Sequence, residues 1–267
     1  MWKVWRFLKK NRWEILTRVR ENKRAFFVFS ALGLVITAIL IQGALCARWD
    51  RVFTGALCLV LLWVPPIIEH TFSLQFPTAL EISAYVFVFC AGILGEMLDF
   101  YQRFSFWDTV LHTANGFLFA GFGFCLFSLF EKKRKVRTLP SPAYQSFTAF
   151  CFSATVGVFW ELFEFAADIL LHTDMQKDTM RYEMHSVLLP GEGGGVTHVE
   201  NITAVEIKTA NGMSFTLSGY LDVGLFDTMW DLAVNLLGAA FFCVIGYLYL
   251  KHRRGVLAPG FIPRVRD

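Results

Sequence analysis

Three carboxylates, Glu161, Glu164 and Asp168, sit inside the otherwise apolar run FWELFEFAAD (159–168). They step i, i+3, i+7 and therefore share one face of a helix. Asp108, His112 and Asn115 step i, i+4, i+7 in WDTVLHTANGF, and Asp227, Asp231 and Asn235 step i, i+4, i+8 in FDTMWDLAVNLLGA. Glu96 and Asp99 add a shorter i, i+3 pair. Acids scattered for solubility would not form such stripes. Carboxylates with an imidazole are a donor set for a hard or borderline divalent ion such as Mg²⁺, Mn²⁺, Fe²⁺ or Zn²⁺. The expected metal ligands are Glu161, Glu164, His112, Asp231, Asp108, Asp227, Asn235 and Asp99. Asp168 or Glu96 is the expected general base. Glu161, Asp231 and His112 lie a turn or more inside their apolar runs. Asp108 and Asp227 sit where a helix starts, and are read as caps first and ligands second.

These stripes must be carried by membrane helices. The chain has 267 residues, 55% of them hydrophobic and 29 of them Phe, with a mean hydropathy of +0.47. Six apolar runs approach the ~20 residues that cross a bilayer: Ala25–Leu45, Val52–Ile68, Thr78–Leu98, Thr109–Phe130, Phe147–Leu171 and Thr228–Leu250. The expected fold is an all-α polytopic membrane protein of about six spans. The six cysteines lie in or at the ends of these runs without a CxxC pair, and are read as small buried apolar residues. The first run is as long as a span and follows 24 residues of basic leader, so it is read as a retained helix rather than a signal peptide.

Charge sets the orientation. Residues 1–24 carry nine Lys and Arg, KKRKVR (132–137) five and KHRR (251–254) three, against two in CARWDR and one in FYQRFSFWD. Positive residues stay on the cytoplasmic side. Both termini and 132–145 are therefore expected inside, 172–226 outside, in the cytoplasmic (inner) membrane. On that frame all four polar stripes fall in the outer half, with Glu161 ~15 Å below the end of its run at 1.5 Å per residue. Eight carboxylates face one nearby arginine, Arg103. A charge at the bilayer centre costs roughly 2.5–3.5 kcal/mol, so protons or a bound metal must supply the balance.

Residues 1–24 interleave aromatics with Lys and Arg at helical spacing, the pattern of a helix lying on an anionic lipid surface. Nothing else belongs to a nucleic-acid-binding module, and no nucleic-acid partner is expected. In 172–226, AVEIKTANGMSFTLSG alternates on both sides of Asn211-Gly212, predicting a β-hairpin with a two-residue type I′ turn. This insertion is expected to cap the outer mouth of the site. LPGEGGGV upstream is read as a flexible connector. Pro65-Pro66 should end or kink the second span, and Glu69, His70 and Glu81 are placed at the inner interface. Trp107 and Trp230 read as interfacial, while Trp160 walls the pocket or faces lipid.

FWELFEFAAD, DMQKD, GLFDTMWDLAVNLLGA and WDTVLHTANGF together resemble the YjdF-type family of bacterial inner-membrane proteins, over roughly Leu80 to Tyr249. A remoter similarity is to VanZ-like proteins, which share an acid pair on one helix and an Asp-x-x-x-Asn-x-x-Gly helix, here Asp231, Asn235 and Gly238. VanZ-like members are associated with glycopeptide tolerance and envelope stress. This chain departs from them in having Glu164 where an amide is common, and in its β insertion. Three classes of function accommodate the residues. The first is a metal-dependent enzyme on a lipid-linked or envelope substrate. The second is a proton- or cation-coupled carrier, and the third a scaffold or sensor whose acids hold the bundle together. The spans are nearly all apolar below Asn235, Asn115 and Glu161, which weighs against a carrier.

Overall fold

The computed structural model describes residues 22–72, 74–134, 140–189, 195–252 and 264–265, with backbone alone at 50, 74, 125–134, 252 and 264–265. Residues 1–21 of the surface helix expected in 1–24, and most of the tail after 250, lie outside the described residues. The chain divides into two compact units, residues 1–157 with 233–267, and residues 158–232.

In the larger unit, α1 (Lys23–Leu45) starts at Asn22, whose side chain accepts from the Ala25 backbone N–H at 3.4 Å. A short turn leads to α2 (Trp49–Leu62) and α3 (Val64–Phe72). The break falls at Trp63, just ahead of Pro65-Pro66, because proline cannot donate the hydrogen bond that a continuing helix needs. Strand β1 (Leu74–Gln75) pairs antiparallel with β8 (Arg264–Val265). Next come α4 (Thr78–Phe89), a π-helical segment Cys90–Met97, and the single turn α5 (Phe100–Arg103). Ala25, Ile36, Cys58, Leu62, Tyr85, Ile93 and Met97 form one apolar core among these elements. The π segment approaches α2 closely at Gly92, where a Cβ would stand 2.1 Å from the Cys58 sulfur.

Three long helices complete the helical part: α6 (Trp107–Arg134), α7 (Pro142–Leu171) and α8 (Leu225–His252). Their packing within the larger unit uses small residues, as membrane helices do when apolar burial offers no net drive. A Cβ on Gly116 would lie 1.9 Å from the Asn235 carbonyl oxygen, and one on Gly238 would lie 2.0 Å from that of Thr113. Backbone therefore meets backbone where α6 crosses α8. The Ser153 hydroxyl on α7 donates to the Gly116 carbonyl at 2.8 Å.

Among the described residues, four helices are long and apolar enough to cross a membrane: Lys23–Leu45, Arg51–Phe72, Thr78–Met97 and Leu225–Lys251. The two further spans expected from sequence fall in α6 and α7, of 28 and 30 residues. Neither is among those four helices; between them they carry His112, Asn115, Glu161, Glu164 and Asp168. The cysteine reading needs correction: Cys58 and Cys243 are buried, but Cys46 and Cys151 are exposed.

In the smaller unit, β2 (Thr179–Arg181) pairs with β7 (Tyr220–Asp222) and closes the insertion. Two antiparallel pairs nest between them, β3 (Met184–Ser186) with β4 (Thr197–Val199), and β5 (Val205–Lys208) with β6 (Ser214–Leu217). The hairpin at Asn211-Gly212 forms, but not through the expected type I′ turn. Gly212 has φ +87° while Asn211 stays at negative φ, and type I′ needs positive φ at both. Instead the Gly212 N–H donates to the Thr209 carbonyl and the Thr209 N–H to that of Met213, each at 3.0 Å. This is a three-residue loop with a left-handed glycine.

Candidate metal centre

Asp108 is the second residue of α6, with His112 one turn further on. The His112 Nε2 and an Asp108 oxygen are 3.4 Å apart. His112 is buried and Asp108 half-buried. The next turn brings Asn115, whose amide donates to the Asn235 side-chain oxygen on α8 at 3.0 Å. Asn235 is 1% exposed, and its own amide nitrogen is buried with no hydrogen bond. Gly157 on α7 leaves room for that amide, since a Cβ there would lie 2.5 Å from it. Along α6 the Asp108–His112 pair is thus followed by an Asn–Asn contact with α8.

The smaller unit holds the acids of α7 and α8. Glu161, Glu164 and Asp231 are 5%, 7% and 1% exposed. The Trp160 indole N–H donates to Glu164 at 2.9 Å while the ring stays largely exposed. Asp168, further along α7, has another occupation. One of its oxygens accepts from the Met175 N–H and the Thr173 hydroxyl, both at 2.7 Å, and the other from the Gln176 N–H at 2.8 Å. The Lys177 N–H donates to Asp227 at 2.7 Å, and the Gln176 amide donates to the Thr228 hydroxyl. Segment 174–178 is thus a strap fastened to the end of α7 and the start of α8. A carboxylate with both oxygens held by backbone donors anchors a loop.

Glu96 and Asp99 are exposed, Asp99 in the left-handed region at φ +58° and 3.7 Å from Arg103. Asp227 keeps the helix-start role through Lys177. Glu81 on α4, expected at the interface, is instead a buried acid, 4% exposed. Its oxygens accept from the Tyr85 hydroxyl at 2.8 Å and the Asn22 amide at 3.0 Å. The i, i+4 spacing of Glu81 and Tyr85 was the available signal.

Two groups of side chains could hold a metal ion: Asp108, His112 and Asp231, and His112, Glu161 and Glu164. Within each, the ligand atoms lie within 4.8 Å of one another. Donor chemistry fits, because one imidazole with carboxylates suits Mn²⁺, Fe²⁺ or Zn²⁺. Burial fits as well. A carboxylate out of water is costly unless a proton, hydrogen bonds or a cation offsets its charge.

Long apolar helices and a buried His/Asp/Glu cluster define a helical integral membrane protein able to hold a metal ion. The chain belongs to the family described as "Predicted membrane protein (DUF2238)", which it matches over residues 25–252. It is also similar to a protein of Thermotoga maritima described as uncharacterized, at 24% identity over 161 residues, 59% of this chain and 77% of the other. No solved structure matches it. The membrane class implied by the YjdF-type resemblance stands, since the lipid bilayer is the partner such a family implies.

Proposed function

We propose that this protein binds a divalent metal ion through His112, Asp231, Glu161 and Glu164, with Asp108 beside His112 as a further ligand. The ion serves a metal-dependent enzyme of the cytoplasmic membrane that acts on a lipid-linked or envelope substrate. The observation that carries the reading is that His112 belongs to both ligand groups. One buried imidazole common to two sets of carboxylates is what a single centre would require. When bound, such an ion polarises a carbonyl or phosphoryl oxygen. The chain's own part is to hold the ligands: α6 sets His112 and Asp108 one turn apart, α7 does the same for Glu161 and Glu164, and Trp160 orients Glu164. Asp227 and Asp168 fasten the strap, and Asn235 supports α6 through Asn115.

The topology that fits this reading has six spans, with α6 and α7 crossing as well. Both termini are cytoplasmic and 172–226 is outside, supported by the nine Lys and Arg in residues 1–24. A second reading, a proton- or cation-coupled carrier, is favoured by one observation. Glu81 adds a buried acid in α4 that belongs to neither ligand group.

Elemental analysis of the purified full-length protein tests the first reading. A divalent ion should co-purify with wild type, and the metal content should fall in Glu161→Gln and Asp231→Asn, both still folded. A wild-type preparation with no more metal than Glu161→Gln would sink it. Metal-ion flux into proteoliposomes that depends on Glu81 would move the assignment to the carrier.

A further inference from the structure

Strands β3 and β4 place two histidines directly opposite each other. His185 and His198 are register partners in the antiparallel ladder, so their side chains leave the same face with Cβ atoms roughly 4.5–5.5 Å apart. Their ring centroids are 4.6 Å apart and the planes are tilted by 57°, an angle unlike that of an offset stack. Both residues are exposed. Exposed Glu183 and Glu200 flank them by two positions, Glu183 partly offset by Arg181 at 3.7 Å. Beyond the paired strands Asn201 takes a left-handed φ of +55°, and the Ile202 N–H donates to the Tyr182 carbonyl at 2.8 Å.

We infer that His185 and His198 form a two-histidine surface site for a borderline divalent transition-metal ion, Cu²⁺ or Zn²⁺. An ion ~2.1 Å from a nitrogen of each ring needs those nitrogens about 3.4 Å apart. Rings at this separation reach that distance by rotation about their exposed side-chain torsions. Imidazole is the ligand type these ions prefer, and Mg²⁺ or Ca²⁺ would find no oxygen cage here. The pair shares no residue with the buried groups around His112. Its consequence is local. Strands of three residues in a two-stranded sheet are marginal in water, and an ion tied to both strands pins their register because it binds the paired form alone. The insertion is thereby a part of the protein whose order depends on metal.

Chelator-stripped full-length protein in detergent, titrated with Cu²⁺ alone, tests this by calorimetry and electron paramagnetic resonance. Wild type and Glu161→Gln should both show a two-nitrogen Cu²⁺ signal. His185→Ala and His198→Ala should each weaken the binding roughly 100-fold, the advantage of two ligands on one scaffold. Undiminished binding in the double variant overturns the proposal, and so does loss of the signal in Glu161→Gln. Hydrogen exchange gives a readout that needs no variant. Amides of 184–186 and 197–199 should exchange more slowly once Cu²⁺ is added to wild type, and an unchanged rate counts against the site. The buried centre can fail its own test with this one unaffected.

Discussion

Around α1, α2 and α4 the buried side chains are Ala25, Ile36, Cys58, Leu62 and Ile93, whereas where α6 meets α7 and α8 they include Ser153 and Asn235 beside Ala120 and Ala239. The first region packs apolar side chains into one another and, among the described residues, buries one acid, Glu81, which accepts from the Tyr85 hydroxyl and the Asn22 amide. The second brings backbones into contact at Gly116 and Gly238 and joins helices through Asn115–Asn235 and Ser153–Gly116. In lipid, apolar burial does not hold two helices together, so close backbone approach and interhelical hydrogen bonds take over. The first region can therefore lose a methylene and relax. In the second, the crossing geometry depends on particular atoms.

Glycine substitutions should expose this difference most strongly. Gly116→Val or Gly238→Val would drive a Cβ into backbone atoms that have nowhere to go, and the cost should exceed about 4 kcal/mol. Neither variant should yield a folded, monodisperse protein in detergent. Gly33→Ala on α1 meets nothing within 4 Å, and should stabilise the protein by about 0.5–1 kcal/mol, the gain of alanine over glycine inside a helix. A Gly116→Val protein that elutes and melts like wild type would remove the close crossing from the account.

A smaller effect separates the two kinds of buried acid. Tyr85→Phe takes a donor from the Glu81 carboxylate and should cost about 1–3 kcal/mol in denaturant unfolding, leaving metal content unchanged. Glu161→Gln, in a group that could hold a metal ion, should do the reverse by lowering metal content while the protein still folds. If Tyr85→Phe strips the metal as well, Glu81 and the His112 cluster are coupled and the contrast between the regions fails.

The helical class and the β insertion were legible because each rests on periodicity. Apolar runs of span length announce helices, and alternation around Asn211-Gly212 announces a hairpin. The turn type was not legible, since Asn-Gly serves both a two-residue turn and a three-residue loop with a left-handed glycine. The stripes on α6, α7 and α8 were legible through 3.6-residue spacing, which says which side chains share a face and nothing about what each one meets. Asp168 and Asp227 fit their stripes, yet both hold the 174–178 strap, a contact with a loop that has no periodicity to betray it. Glu81 looked interfacial because it lies in the first turn of an apolar run. It is buried because Asn22 and Tyr85 supply its donors from α1 and from one turn along α4, and only the i, i+4 partner could have been read from sequence.

Acids outside the apolar helices give the smallest expected effect, and one that answers to pH. Asp178 closes the strap, and its carboxyl is pushed above its ordinary range by partial burial and then by the negative charges of Asp174, Asp168 and Asp222. A carboxyl that holds its proton more tightly when folded favours the fold while protonated. That contribution is complete below the ordinary value of about 3.9 and is lost as pH rises through the raised folded value. At neutral pH the charged form therefore works against the strap. Asp178→Asn should slow proteolytic cleavage within 172–226 at pH 7, and the advantage over wild type should shrink as the pH is lowered toward 4. Equal cleavage rates at pH 7 would mean that strap order does not depend on this charge, leaving Asp168 and Asp227 to account for it alone.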